Sequence, residues 1–85
     1  MSYEIRYRIG CYLWDAETEN HRYTMDELYY TDEDTARKRY ASLAPTEDRP
    51  QVELWEELYT KSGALEDRNK IAMKDSTGDY PWWEF

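Results

Sequence analysis

Apolar and polar residues alternate from the start of the chain: Tyr3, Ile5, Tyr7, Ile9, Cys11 and Leu13 share one parity, and Glu4, Arg6, Arg8, Gly10 and Tyr12 the other. A period of two places successive side chains on opposite faces of an extended backbone, so residues 3–13 are predicted to form a strand with one face buried. Trp14 falls on the polar side at its end. Asp15 to Arg22 is polar and contains Asn20, a residue that tolerates positive φ, which points to a hairpin loop. A second strand should follow, through Tyr23 and Met25 or, by preference, from Glu27 to Tyr30. It must be antiparallel, because so short a link cannot hold a crossover.

At Thr31 the period changes. Thr31 or Asp32 can accept from the free amide donors of a first helical turn, and Asp32, Glu33 and Asp34 sit where the positive helix end favours negative charge. Glu33 to Arg37 and Asp34 to Lys38 are acid-before-base pairs at four-residue spacing. Ala36, Tyr40, Leu43 and Ala44 form one face, and Pro45 ends the helix. A helix this short is marginal alone, so its apolar stripe is expected to lie on a sheet.

Beyond the stiff connector Pro45–Pro50, residues 51–61 fit two patterns. As a strand, Val52, Leu54 and Leu58 lie on one face and Trp55 and Tyr59 on the other, with Glu56 a misfit; as a helix, Pro50 stands near the start and Gly63 just past the end. The strand is preferred because β-type residues recur and Ser62-Gly63 suits a turn into a last strand over residues 64–74, in which Ile71 and Met73 alternate. Asp75 to Asp79 reads as a breaker. The expected fold is α+β: a small antiparallel sheet in the order ββαββ with one helix on one face, occupying residues 1–74, followed by an aromatic tail over 75–85. Trp82, Trp83 and Phe85 in that tail either fold back over an open sheet face or dock a partner.

Eighty-five residues make one domain with little room for a deep pocket. Nine Tyr and four Trp against one Phe predict a core whose aromatic groups reach the surface. The net charge of −8 repels phosphate backbones and anionic membranes, which disfavours direct nucleic-acid and membrane binding. Acids are spread along both halves of the chain, as on a folded acidic surface. The single Cys11 cannot form an internal disulfide and reads as a small core residue. With no leader-like pattern and no apolar run of about 20 residues, a cytoplasmic location is expected.

Motifs for chemistry are scarce. Asp15, Glu17, Glu19 and Asp26 stand at the first, third, fifth and twelfth places of a calcium loop, but the sixth place lacks Gly and the twelfth has the shorter Asp, so a solvated turn is preferred. His21 is the sole histidine and has no paired-ligand spacing around it, and the isolated Gly10, Gly63 and Gly78 form no phosphate-binding loop. No metal, cofactor or enzymatic activity is expected. The Arg37-Lys38-Arg39 triplet fans around the helix as a solvated face.

The run Tyr29-Tyr30-Thr31-Asp32-Glu33-Asp34-Thr35-Ala36-Arg37 after a Tyr-rich hairpin, followed by Val52-Glu53-Leu54-Trp55 and a closing hairpin, resembles small acidic, uncharacterised ββαββ proteins of phages and bacterial mobile elements. Some small acidic proteins of that background inhibit host defence, anti-CRISPR proteins among them. The resemblance implies a non-enzymatic protein-interaction module that imitates nucleic acid before a basic partner. Its expected contacts are Asp32, Glu33, Asp34, Glu53, Glu56, Glu57, Trp82, Trp83 and Phe85. Two alternatives remain open: a homodimeric structural domain without inhibitory role and, least favoured, a small enzyme using His21 or a carboxylate pair.

Overall fold

The computed structural model describes residues 3–81. Strand β1 (Glu4–Asp15) and strand β2 (Asn20–Met25) form the first hairpin. Helix α1 (Glu33–Ser42) follows, and then strands β3 (Gln51–Tyr59), β4 (Leu65–Asp75) and β5 (Gly78–Pro81). All five strands join one antiparallel sheet in the order β2-β1-β3-β4-β5. The α+β class is as expected, but the order is ββαβββ. Asp75, the last residue of β4, opens a turn and does not end the sheet: its Oδ1 accepts from the Thr77 amide (2.8 Å) and hydroxyl (2.6 Å), and Gly78 takes a φ of 155°. The chain thereby reverses and adds a strand. Residues 78–81 thus belong to the sheet, while Trp82, Trp83 and Phe85 lie outside the described residues.

The ambiguous segment after Pro50 is a strand, pairing with β1 on one side and β4 on the other. The second strand, by contrast, is the less favoured of the two options. The turn needs only four residues between Asp15 and Asn20, and Glu19, not Asn20, adopts positive φ (53°). Pairing therefore begins at Asn20 and is complete by Met25. The chain then leaves β1 and returns for one bridge, Tyr7 with Tyr30, leaving Leu28 largely exposed.

Asp32 caps α1, accepting from the Thr35 amide (2.9 Å) and hydroxyl (2.6 Å), and Glu33 pairs with Arg37 at 2.8 Å. Its face buries Ala36 and Tyr40 against Tyr7, Ile9, Val52, Leu54 and Ala72, with Leu43 partly buried and Ala44 exposed. This core occupies the middle of the sheet only. Ten residues of helix span about 15 Å, whereas the twelve residues of β1 span about 40 Å. Ile5 and Leu13, on the apolar parity, are consequently left exposed at the two ends.

Bulges between β3 and β4 skip Glu66 and Ile71 in the pairing. The second one keeps Ala72 beneath the helix while placing Lys70 opposite Trp55 on the other face, because one extra residue reverses the strand's parity. Ile71 therefore packs toward the core, and Met73, opposite Glu53, lies on the helix-free side.

Candidate functional site

The face of the sheet without a helix is closed by its own polar side chains. Glu57 is fully buried there. Arg8 Nε lies 2.7 Å from its Oε1 and Arg68 Nη2 2.8 Å from its Oε2, and Tyr59 donates to it at 3.1 Å. Glu53, 3% exposed, accepts from Gln51 (2.6 Å) and Trp55 (3.0 Å) and pairs with Lys70 at 3.1 Å. Burial pushes the Glu53 carboxyl up, but the hydrogen bonds from Trp55, Lys70 and Tyr23 outweigh it and hold the group below its ordinary range. Over these carboxylates lie cations and rings in alternation. The Arg6 guanidinium sits between the rings of Tyr29 and Tyr59, 4.2 and 4.0 Å from their centroids, and Arg68 and Lys70 lie over Trp55.

This layer changes the place of several expected contact residues. Glu53 and Glu57 lie inside the protein, held by its own cations, and not in an exposed acidic row. Asp32 is engaged as the helix cap, and its hydrogen bonds from Thr35 lower its carboxyl. Glu33 is lowered by Arg37 and also accepts from the Tyr7 hydroxyl at 3.2 Å. Asp34 is exposed on α1, and Glu56 is half-buried on the helix side, near the Tyr7 phenol.

Part of the exposed apolar surface lies on the first hairpin, while Tyr3, Ile5, Leu28, Tyr29 and Leu65 are exposed outside it. β3 pairs with β1 only as far as Cys11, whereas β2 pairs with β1 from Gly10 to Asp15, so residues 12–15 and 20–23 leave the sheet as a two-stranded arm. Tyr12 (37%), Leu13 (39%), Trp14 (46%) and Tyr23 (39%) are all exposed on it. Tyr12 meets Tyr23 and Trp14 meets His21 edge-on, each with ring centroids 5.2 Å apart. A lone hairpin is marginal in water. Here the Asp48 carbonyl accepts from the Trp14 amide (2.8 Å) and the Glu47 carbonyl lies 3.4 Å from the His21 ring. Tyr23 also lies across Gly10, where a Cβ would collide with its hydroxyl. Carboxylates surround the arm: Asp15, Glu17 and Glu19 at its tip, Glu47 and Asp48 beside it, and Asp26 and Glu27 at its base.

The concave surfaces are shallow. One of about 420 Å³ is lined by Tyr12, His21, Pro50, Gln51, Asp75 and Ser76. It places His21 and a carboxylate on the same rim; Asp75 accepts from Thr77, which lowers its carboxyl, and His21 contacts Trp14 and the Glu47 carbonyl. Among the described residues, no three metal-ligating side chains converge, and no helix is long and apolar enough to cross a membrane.

The alternating pattern hides the arm because Leu13 continues the apolar parity of β1. The signal available was the consecutive run Tyr12-Leu13-Trp14, which is apolar on both parities where one should be polar. The chain matches no protein family, curated protein or solved structure.

Proposed function

We propose that this chain is a non-enzymatic protein-interaction module whose partner presents a basic surface. The observation that carries this reading is the arm, which exposes Tyr12, Leu13, Trp14 and Tyr23 on two strands amid seven carboxylates. Tyr12, Trp14 and Tyr23 share one face of the arm and Leu13 lies on the other; exposed apolar side chains rimmed by charge suit a protein contact, and cations gain both from the carboxylates and from the ring faces. Burial of Glu53 and Glu57 takes Arg8 and Lys70 inward with them, so the exterior keeps its net acidity. The strongest form of the reading is inhibition of a nucleic-acid-binding protein by imitation of its ligand, with Asp32, Asp34 and the arm's carboxylates standing for phosphates. A homodimer built on the arm is the alternative, and it has to overcome a charge of −8 on each copy.

Affinity capture on the immobilised full-length chain tests this reading. The expected result is retention of a basic protein at low ionic strength. Release is expected toward 1 M salt, where the screening length falls to about 3 Å, and on addition of duplex DNA. Retention unchanged by salt, or equal retention on a Trp14→Ala, Tyr23→Ala variant, removes it.

A further inference from the structure

The hydrogen-bond phase of the first hairpin identifies which backbone groups of β2 face outward. The Asp26 amide donates to the Ile9 carbonyl at 2.9 Å, which makes Gly10 and Met25 a non-hydrogen-bonded pair. In an antiparallel ladder such pairs alternate with hydrogen-bonded ones, so Thr24, Arg22 and Asn20 direct their amides and carbonyls at β1, while Met25, Tyr23 and His21 direct theirs away from it. β2 is the terminal strand of the sheet. The His21 amide is taken by the Asn20 side chain at 2.8 Å, which leaves, among the described residues, Tyr23 and Met25 as donors on the edge.

Resting on the proposed basic-partner reading, we infer that this edge captures an extended, cationic segment of the partner by strand addition, with its backbone pairing to Tyr23 and Met25. Side chains of an added strand alternate between two faces. On one face they meet the Tyr23 ring and, behind it, Tyr12 and Trp14. On the other they meet a shallow concavity of about 360 Å³ whose lining includes Leu13, Asp15, Glu17, Arg22 and Thr24. Both suit lysine or arginine: rings on the first side, two carboxylates beside Leu13 on the second. Arg22 is the sole cation there, 71% exposed and only loosely paired with Asp15 at 3.5 Å, so it can swing clear. Charge selects this occupant over a second copy, which would bring another −8 to an edge already flanked by Asp15, Glu17, Asp26 and Glu27.

The test uses the full chain and a synthetic peptide of alternating arginine and threonine, at low salt, with amide hydrogen exchange read by NMR. Bound peptide is expected to slow exchange at Tyr23 and Met25 by about tenfold or more and to leave Thr24, already in the ladder, nearly unchanged. Met25→Pro removes an N–H that faces outward and leaves the β1–β2 ladder complete, so it is expected to weaken binding about tenfold with an unchanged circular dichroism spectrum. If that variant fails to fold, Trp14→Ala is expected to weaken binding through the arm's rings instead. Peptide binding that protects the amides around Asp32 and Asp34, with Tyr23 and Met25 unaffected, overturns the edge and spares the basic-partner reading. Absence of binding at low salt overturns both. Protection of Tyr23 and Met25 without peptide, rising with protein concentration alongside mass, assigns the edge to a second copy and overturns the inference.

Discussion

Arg8 and Glu57 meet at 2.7 Å on neighbouring strands, and the carboxylate of that pair has no exposed surface although α1 packs on the opposite side of the sheet. The covering is made by Arg68, Tyr59 and Arg8 itself. Truncating one member of a buried ionic group costs more than the pair contributes, because the remaining charge is left without compensation. Glu57→Ala is expected to lower the free energy of unfolding by about 2–4 kcal/mol, somewhat below a fully enclosed pair since both arginines can reach water. Arg68→Ala, at a 39% exposed side chain, is expected to cost under about 1 kcal/mol. Urea unfolding of both variants checks the contrast, and equal losses would refute it.

Gly10 and Tyr23 form a second coupled pair. A Cβ at residue 10 meets the phenol ring and the Met25 sulfur, so Gly10→Ala is expected to cost about 1–3 kcal/mol by overpacking. Combined with Tyr23→Ala, which removes the obstruction, the loss should be smaller than the sum of the two single losses. Additive losses in chemical denaturation would show that the ring does not press on this position.

The arm and the core should respond differently to truncation. Ile9→Ala, beneath the helix and 1% exposed, is expected to cost about 2–5 kcal/mol. Trp14→Ala should change stability by about 0.5 kcal/mol or little more, because surface side chains contribute little to folding. Thermal unfolding of both variants separates a large side chain that packs the core from one that does not.

Lys74 holds the far end of α1. Its ammonium donates to the Tyr40 carbonyl and lies 4.4 Å from the centroid of the Tyr40 ring, where the negative end of the helix favours a cation. Lys74→Met keeps the stem and removes the donor, with an expected loss of about 1–2 kcal/mol. Unfolding in denaturant at neutral pH measures it, and an unchanged midpoint would exclude this anchoring role.

Acidification should destabilise the fold. Thr35 and Thr77 hold the carboxyls of Asp32 and Asp75 below the ordinary range, Arg37 does so for Glu33, and at Glu53 the donors overcome an upward push from burial. A depressed folded pKa contributes stability that is present above the unfolded pKa and lost as pH falls through the folded one. Unfolding midpoints should therefore hold near neutrality and drop below about pH 4. Asp26 acts oppositely: burial raises it against the pull of Arg39 and Arg8, so its contribution is lost as pH rises through its raised value. At the alkaline end, burial raises the Tyr7 and Tyr23 phenols, with Glu33 adding at Tyr7 and Glu53 at Tyr23, and stability should decline from about pH 10 upward. A midpoint that stays level from neutrality to about pH 2.5 would contradict the acid branch.

Local signals in the chain read correctly wherever neighbours in sequence decide the outcome. The alternation of residues 3–13, the Asp32 cap with its Thr35 partner, the Ala36 and Tyr40 stripe and the Gly63 turn all depend on residues within a few positions of one another. The fifth strand was less visible because Asp75 to Gly78 is equally a breaker and a tight turn, and only the presence of β4 alongside distinguishes the two.

By itself, then, the sequence determined the α+β class, the first strand, and the helix and its start, since period and capping are local properties of the backbone; after Pro50 it fitted strand and helix alike, and pairing with β1 and β4 made that segment a strand. Only the tertiary structure decided that β2 stops at Met25, that Glu53 and Glu57 lie inside, and that Leu13 and Trp14 lie outside. Each of these follows from which strand pairs with which and from how far a short helix reaches across a longer sheet. Those are distances between parts of the chain remote in sequence, and no local pattern of residues encodes them.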